Sequence, residues 1–249
     1  MNKKQEIGSI TAKHGFQNEK EIALKFNSWK EDKDAQEWLK IMGYDLLTIE
    51  YVKATVISGF KADLNVVIQV KLKQLQDVEN IQVKLVSNLF GYNQIDKRWL
   101  KSYKEMWNIP DNVYTLLQYF TGELLPYKQN TKDKRRMFVT EFSKQEQEIL
   151  VNWLNENKVL IVNDIIKGRG VMSAEWYLVI NKTDENIKWI LKNINVVIQY
   201  YLGNGEIKVS PRGSIYIGNI TVQRKGGDGG RPTANMLQFK INPAELFNM

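Results

Sequence analysis

The sequence predicts an α/β fold with a central mixed β-sheet flanked by helices. Three observations carry that expectation. Apolar residues recur at helical spacing in the N-terminal part of the chain, the period switches to two from Thr55, and helical and strand-like stretches then interleave to the C-terminus. No long linker interrupts them, so residues 1–249 are expected to form one domain.

Ile22, Ala23, Phe26 and Trp29 make a first helical stripe; Ala35, Trp38, Leu39 and Met42 make a second, which Gly43 ends. Leu64, Val66, Ile68, Val70 and Leu72 then alternate with Asp63, Asn65, Gln69 and Lys71, as a strand with one buried face does. Residues 74–80 are polar enough for a hairpin loop, and a second strand is expected from Ile81. Ile95, Trp99, Tyr103 and Met106 share a helical face. Ser143 and Glu146 form a capping-box pair opening the helix of Ile149, Leu150, Trp153 and Leu154. Residues 176–180 read as a strand. Thr183 or Asp184 is placed to cap a long helix carrying Ile187, Ile190, Leu191, Ile194, Val197 and Ile198, with Gly203 to stop it. Short strands then run to Phe239, broken by the glycine loop at 226–230.

Hydrophobic residues make up 43% of the chain, and seven Trp, eleven Tyr and nine Phe can fill a substantial core, so disorder is not indicated. There is no Cys, so disulfides and thiolate metal sites are excluded, as suits a reducing cytoplasm. The start, Met1-Asn2-Lys3-Lys4, leads into no apolar signal core, and no apolar run reaches the roughly 20 residues of a membrane helix. A formal charge of +7 and a pI near 9.3 suit a polyanionic partner, although solubility alone accounts for them equally well.

The chemistry is expected at Asp63, Gln82 and Lys84. An acidic residue opens one strand; after 18 intervening residues, a ligand type and a lysine stand two apart on the next. Alternation places Gln82 and Lys84 on one face, with Ile81, Val83 and Leu85 on the other. That is the pattern of a metal-dependent phosphodiesterase. Asp63 would bind a divalent cation through its carboxylate, and Gln82 through its neutral amide oxygen. Lys84 would orient the attacking water and stabilise charge in the transition state. The run Ile-Gln-Val-Lys also occurs at 68–71, but Lys71 lies eight residues from Asp63 on the same expected strand. That is roughly 26 Å, too far to share a phosphate. A symmetric tight hairpin is not expected to pair Asp63 with Gln82, so the pairing should need a bulge or an uneven loop. Taken alone, the spacing also recurs in soluble proteins whose Asp and Lys merely face solvent.

Other chemistries fit worse. His14 is the single histidine, and the glycine loop at 226–230 lacks the Gly-Lys-Ser/Thr ending of a phosphate-binding loop. Basic residues cluster at Lys132, Lys134, Arg135 and Arg136. Others flank the glycine loop as Arg224, Lys225 and Arg231, and Arg212 stands in a Ser-Pro-Arg-Gly turn. Singly each reads as solvated surface; together they suit phosphate contacts. Asn93, Gln94 and Lys97 follow the expected catalytic strand closely, and amide and basic side chains are what read base edges in the major groove.

Long stretches now carry a resemblance. They include residues 80–88, 93–97, 130–138, 210–215, 223–228 and 233–241, within a similarity running from Gly15 to Phe247. The sequence resembles the small type II restriction endonucleases that recognise the palindrome GCGC and cut after the first G. The resemblance implies the restriction-endonuclease fold, a catalytic core at about residues 50–110, and Mg²⁺ as cofactor, with Mn²⁺ able to substitute. It implies Asp63, Gln82 and Lys84 as the catalytic set, with Asp63 and Gln82 as metal ligands. Gln94, Lys97 and Arg212 are the expected base readers, with Asn93, Arg224 and Lys225 as further DNA contacts. The implied partners are double-stranded DNA, a second copy of the chain in a homodimer, and a cognate DNA methyltransferase encoded alongside. The wider superfamily has Pro before the Asp and Glu in place of Gln; here they are Ala62 and Gln82, and the Gln also occurs in this subfamily. Glu19 resembles the acidic residue that many such enzymes hold near the active site. The competing expectation is a DNA-binding protein that keeps the fold but does not cut; the intact set favours cleavage.

Overall fold

The computed structural model describes residues 3–70, 76–183 and 186–249. In chain order its first half contains α1 (Lys3–Asn27), α2 (Lys33–Ile41), β1 (Ile49–Val56), β2 (Leu64–Val70), β3 (Gln76–Val86), β4 (Asn93–Arg98), α3 (Leu100–Trp107) and α4 (Asp111–Thr121). The second half contains α5 (Lys144–Ile166), β5 (Trp176–Asn181), β6 (Lys188–Asn193), α6 (Ile194–Leu202), β7 (Ile207–Val209), β8 (Ile215–Ile217), β9 (Ile220–Arg224) and β10 (Leu237–Ile241). Two compact units share these elements. One is Glu6–Gly91, Ile166–Val197 and Asn242–Met249; the other is Met1–Gln5, Tyr92–Ile165 and Ile198–Ile241. Among the described residues no helix is long and apolar enough to cross a membrane.

The first unit holds the mixed sheet, in the order β1-β2-β3-β5-β6. β3 and β5 run parallel and the other pairs antiparallel. Leu64, Val66, Ile68, Ile81, Val83, Leu178 and Ile180 form a core with Ile22, Phe26, Trp38 and Leu39 from the two helices. Each such buried side chain contributes roughly 1.5–3 kcal/mol by leaving water. The expected stripes are therefore the packing faces of α1 and α2. Asp32 caps α2 through the Ala35 N–H at 2.9 Å, and Gly43 follows it at φ +92°, a conformation that suits glycine.

The second unit holds an all-antiparallel sheet, in the order β4-β10-β9-β8-β7. Here Tyr103 and Trp107 of α3 stack on each other and meet Phe239 of β10 edge-on. The Trp107 indole donates to Asp164 at 2.9 Å. The Ser143–Glu146 capping box is formed in both directions, at 2.7 and 3.2 Å.

Three expectations are corrected. Residues 76–80 belong to β3 rather than to a loop, because their backbone pairs with β2; Lys71 and the rest of 71–75 lie outside the described residues. Ile95 is on strand β4, and only residues 100–107 of its supposed helical face are helical. The long helix expected over 187–198 is instead β6 followed by α6. Asn181↔Lys188 through Trp176↔Asn193 pair antiparallel, so the free edge of β5 recruits the first half of that segment. Asp184 lies outside the described residues, and the stop at Gly203 is as expected, its N–H donating to Gln199 O.

Candidate active site

Asp63 stands immediately before β2, and the β2–β3 ladder explains where its side chain goes. Pairing runs in constant register from Gln69↔Gln76 to Leu64↔Ile81 without a bulge. One further step puts Asp63 opposite Gln82, and its N–H donates to Ile81 O at 2.9 Å. The expected bulge is therefore unnecessary. Beyond Gln82, β3 continues with no β2 residue opposite it, so its backbone donors on that side need another partner. The Asp63 carboxylate supplies one: its Oδ2 accepts from the Val83 N–H at 2.7 Å.

The same oxygen accepts from Gln82 Nε2 and lies 3.9 Å from Lys84 Nζ. One carboxylate oxygen thus gathers all three expected residues, while Oδ1 makes no hydrogen bond among the described residues. The solvent-facing alternative fails, since the Asp63 and Lys84 side chains are only 21% and 18% exposed and Gln82 is buried. Two residues before Gln82, buried Asn80 fixes the strand. It accepts from Asn65 Nδ2 at 3.0 Å, donates to Val171 O at 2.9 Å, and its N–H donates to Glu175 at 3.0 Å. Ala62 is buried, and its N–H donates to Met172 O at 3.5 Å, a bond that the superfamily's proline could not make.

Glu19 of α1 joins this site. Its pKa is pushed from 4.5 to about 7, first by burial and then by the negative charge of Asp63, with Lys84 pulling the other way. Two carboxylates are therefore held within electrostatic reach of one lysine. Because the folded pKa lies above the unfolded one, stability falls as pH rises from 4.5 to about 7 and is flat above that. Glu19→Gln should make the metal-free protein more stable above pH 7, by about 1 kcal/mol after solvent screening, with the gain vanishing below pH 4.5. Thermal melts in chelator across that range measure it; a variant less stable at pH 8 would refute it.

Sequence reasoning missed Tyr177. It faces Gln82 across the parallel β3–β5 ladder, it is buried, and its hydroxyl has no hydrogen-bond partner among the described residues. Burial, and then the charge of Asp63, hold the phenol well above its usual pKa, so it is a neutral donor. A Tyr inside an apolar strand gives no sequence signal that its hydroxyl lies within electrostatic reach of Asp63.

The expected DNA contacts all belong to the second unit. Gln94 and Lys97 pair with Lys240 and Gln238 of β10, and a bulge between the two pairs skips Ile95. Residues three apart on a regular strand face opposite sides; the bulge brings Gln94 and Lys97 onto one face, where both are exposed. Asn93 pairs with Ile241 and so stands on the other face. Arg212 is exposed on a tight turn closed by Gly213 N–H to Ser210 O at 2.7 Å. Gly213 has φ +80°, and a Cβ there would meet Phe138 Cβ at 2.5 Å, so the turn requires glycine. Arg224 ends β9 and donates to Asn235 Oδ1, and the Lys225 N–H donates to Met236 O.

Comparison with known proteins adds two findings. A family model described as R.HinP1I restriction endonuclease matches residues 42–247. A crystal structure of restriction endonuclease MspI in complex with its cognate DNA superposes with a TM-score of 0.66 at 14% identity, covering 96% of this chain and 93% of that one. That likeness establishes the shared fold. No curated protein sequence matches the chain.

Proposed function

The chain belongs to the R.HinP1I restriction endonuclease family, and on that premise we propose that it cleaves double-stranded DNA at GCGC, after the first G, with Asp63, Gln82 and Lys84 as the catalytic set. It is a type II, site-specific deoxyribonuclease. HinP1I recognises GCGC. The observation that carries the catalytic assignment is the convergence of Gln82, Val83 and Lys84 on one oxygen of Asp63.

The donor set fits a hard divalent cation such as Mg²⁺. Asp63 Oδ1 makes no hydrogen bond among the described residues, the Gln82 amide has an oxygen to offer, and the repulsion between Glu19 and Asp63 is one that a cation would relieve. A cation held by Asp63 and Gln82 would supply Lewis acidity to the phosphate and a lower pKa to the attacking water. Lys84 holds its ammonium at the site through Asp63, where it orients that water and offsets charge developing on the phosphate oxygens. Asn80, pinned from three sides, keeps β3 rigid so that Gln82 and Lys84 hold their spacing.

Reading of the site falls to Gln94 and Lys97, with Arg212 contributing; Asn93, Arg224 and Lys225 are further DNA contacts. Lysine and arginine suit G O6 and N7, and a glutamine amide can both donate and accept. The exposed pair on one face of β4 supports this. A cutting enzyme of this kind also needs a cognate methyltransferase to protect host DNA, and a palindromic site suits a homodimer working in the cytoplasm. Digesting plasmid DNA and sequencing the ends tests the site and the cut position; ends at any other sequence would overturn GCGC. In the same assay on single-mismatch duplexes, Lys97→Ala should lose about 1–3 kcal/mol of discrimination at one base pair. Equal loss on every duplex would make Lys97 a phosphate contact instead.

A further inference from the structure

The second unit gathers a group of cations that its own anions do not balance. Residues 133–136 form a tight turn, with Arg136 N–H donating to Asp133 O at 3.3 Å. Arg135 grips Asp133 with two bonds of 2.9 Å, so these two charges cancel. Arg136 is different. Its side chain is 18% exposed, and among the described residues its buried Nε has no hydrogen-bond partner and its nearest carboxylate oxygen is 3.8 Å away on the already committed Asp133. Its guanidinium lies 4.1 Å over the Phe138 ring, which Lys132 also approaches at 5.9 Å. Arg224 is held by the neutral amide oxygen of Asn235, at 2.6 and 3.2 Å, which fixes its direction without cancelling its charge.

The framework behind these groups is rigid. Asn235 donates onward to Gly122 O at 2.8 Å, at the end of α4. Gly122 has φ +85°, and a Cβ there would stand 2.6 Å from Arg135 O, so the close approach of the arginine turn at this point requires glycine. The Met137 N–H donates to Tyr119 O at 2.8 Å. Glu141, the other nearby carboxylate, is occupied by the Lys132 and Phe138 backbone N–H groups at 2.7 Å each. Four cations thus face two carboxylates. Burial and the mutual repulsion of Arg136 and Arg224 lower the pKa of Arg136; burial and Arg135 lower that of Arg224. Arginine cannot shed its proton to escape this, so the cluster needs an anion from outside.

We infer that Arg136 and Arg224, backed by Arg135 and Lys132, form a preformed clamp for a backbone phosphodiester of DNA. The inference rests on the nuclease reading and deepens it by assigning a sequence-independent anchor separate from the base readers on β4. A fork-shaped donor pair with uncompensated charge matches the oxygens of one phosphodiester. Exposed Lys134 and Arg231 stand close by in the chain, and such an extended basic run favours a polyanion over a free phosphate ion.

The test uses Arg136→Gln and Arg224→Gln in the full chain. Affinity is measured in chelator for a GCGC duplex and an unrelated duplex across several salt concentrations, beside thermal melts of the free proteins. Each variant should weaken both duplexes by the same factor, about threefold to tenfold, and lower the slope of log affinity against log salt by about one. Arg136→Gln should melt at or above the wild-type temperature, because a largely buried charge with only one distant carboxylate partner is removed. A loss confined to GCGC would make these residues base readers. Unchanged affinity, whether or not the melting temperature falls, would overturn the clamp. Addition of inorganic phosphate at millimolar concentration should leave the melts unmoved; a shift abolished in both variants, with DNA binding unchanged, would identify a free-anion site instead. Wild-type cleavage is scored separately, so failure of the clamp and failure of the nuclease reading are distinct results.

Discussion

Lys84→Ala is expected to lower DNA cleavage by at least about a hundredfold to a thousandfold, the scale on which removal of a single transition-state donor acts. The side chain is 18% exposed, and its ammonium sits 3.9 Å from Asp63 Oδ2. It is also the cation that partly offsets the repulsion felt by Glu19. Its loss leaves Glu19 and Asp63 facing each other without that charge, so Glu19 should hold its proton to higher pH. Binding should survive, because one lysine contributes about one phosphate contact's worth of salt dependence. The natural control is the other lysine of the repeated run. Lys71→Ala should cut at nearly the wild-type rate, since the spacing from Asp63 along the sequence is too long for a shared phosphate. Cleavage by Lys84→Ala together with a dead Lys71→Ala would reverse the assignment.

The convergence of Asp63, Gln82 and Lys84 was legible in the sequence because a hairpin is a local object. Alternation fixes which residues share a face, and Leu64, Val66 and Ile68 pack as their period demands. The register was harder. The apparent need for a bulge came from guessing a loop at 74–80, and polar residues such as Glu79 look like loop until their partners are known. Glu79 accepts from the Tyr44 hydroxyl at 2.7 Å and from the Trp176 indole at 2.8 Å, both distant in sequence. The same limit hid β4 and β6. Ile95, Trp99, Tyr103 and Ile187, Ile190, Leu191, Ile194 have helical spacing, yet β4 is drawn into a sheet by β10 and β6 by β5. Tertiary pairing overrides a short periodic signal, and one chain segment cannot reveal its partner. The arginine clamp was legible only as composition. Four basic residues at 132–136 read as plain surface, and what distinguishes Arg136 is an orphaned Nε over a phenyl ring.

Metal dependence and Gln82 should give the largest effects after Lys84. Excess chelator is expected to abolish cleavage, whereas Mg²⁺ or Mn²⁺ supports it and Ca²⁺ permits binding without cutting. Calcium accepts oxygen ligands at longer distances in a looser geometry that activates water poorly. Full cleavage in chelator would remove the metal from the mechanism. Within that site Gln82 would be the unusual ligand, because a neutral amide adds no negative charge. Its Nε2 bonds to Asp63 Oδ2, so its amide orientation is set by the carboxylate beside it. Gln82→Ala would remove both that bond and the amide oxygen from a buried position, leaving Asp63 with Val83 and Lys84 alone. Activity should fall by about a hundredfold or more, on the scale seen when a polar group acting on the reacting centre is removed. Gln82→Glu instead places a third carboxylate near Asp63 and Glu19. Without metal that variant should be less stable than wild type at neutral pH, through like-charge repulsion. With metal it should bind the cation more tightly and keep activity. Titrating Mn²⁺ against cleavage rate and against melting temperature separates these effects. Wild-type rates from Gln82→Ala, or weaker Mn²⁺ binding by Gln82→Glu, would show that this side chain is not a ligand.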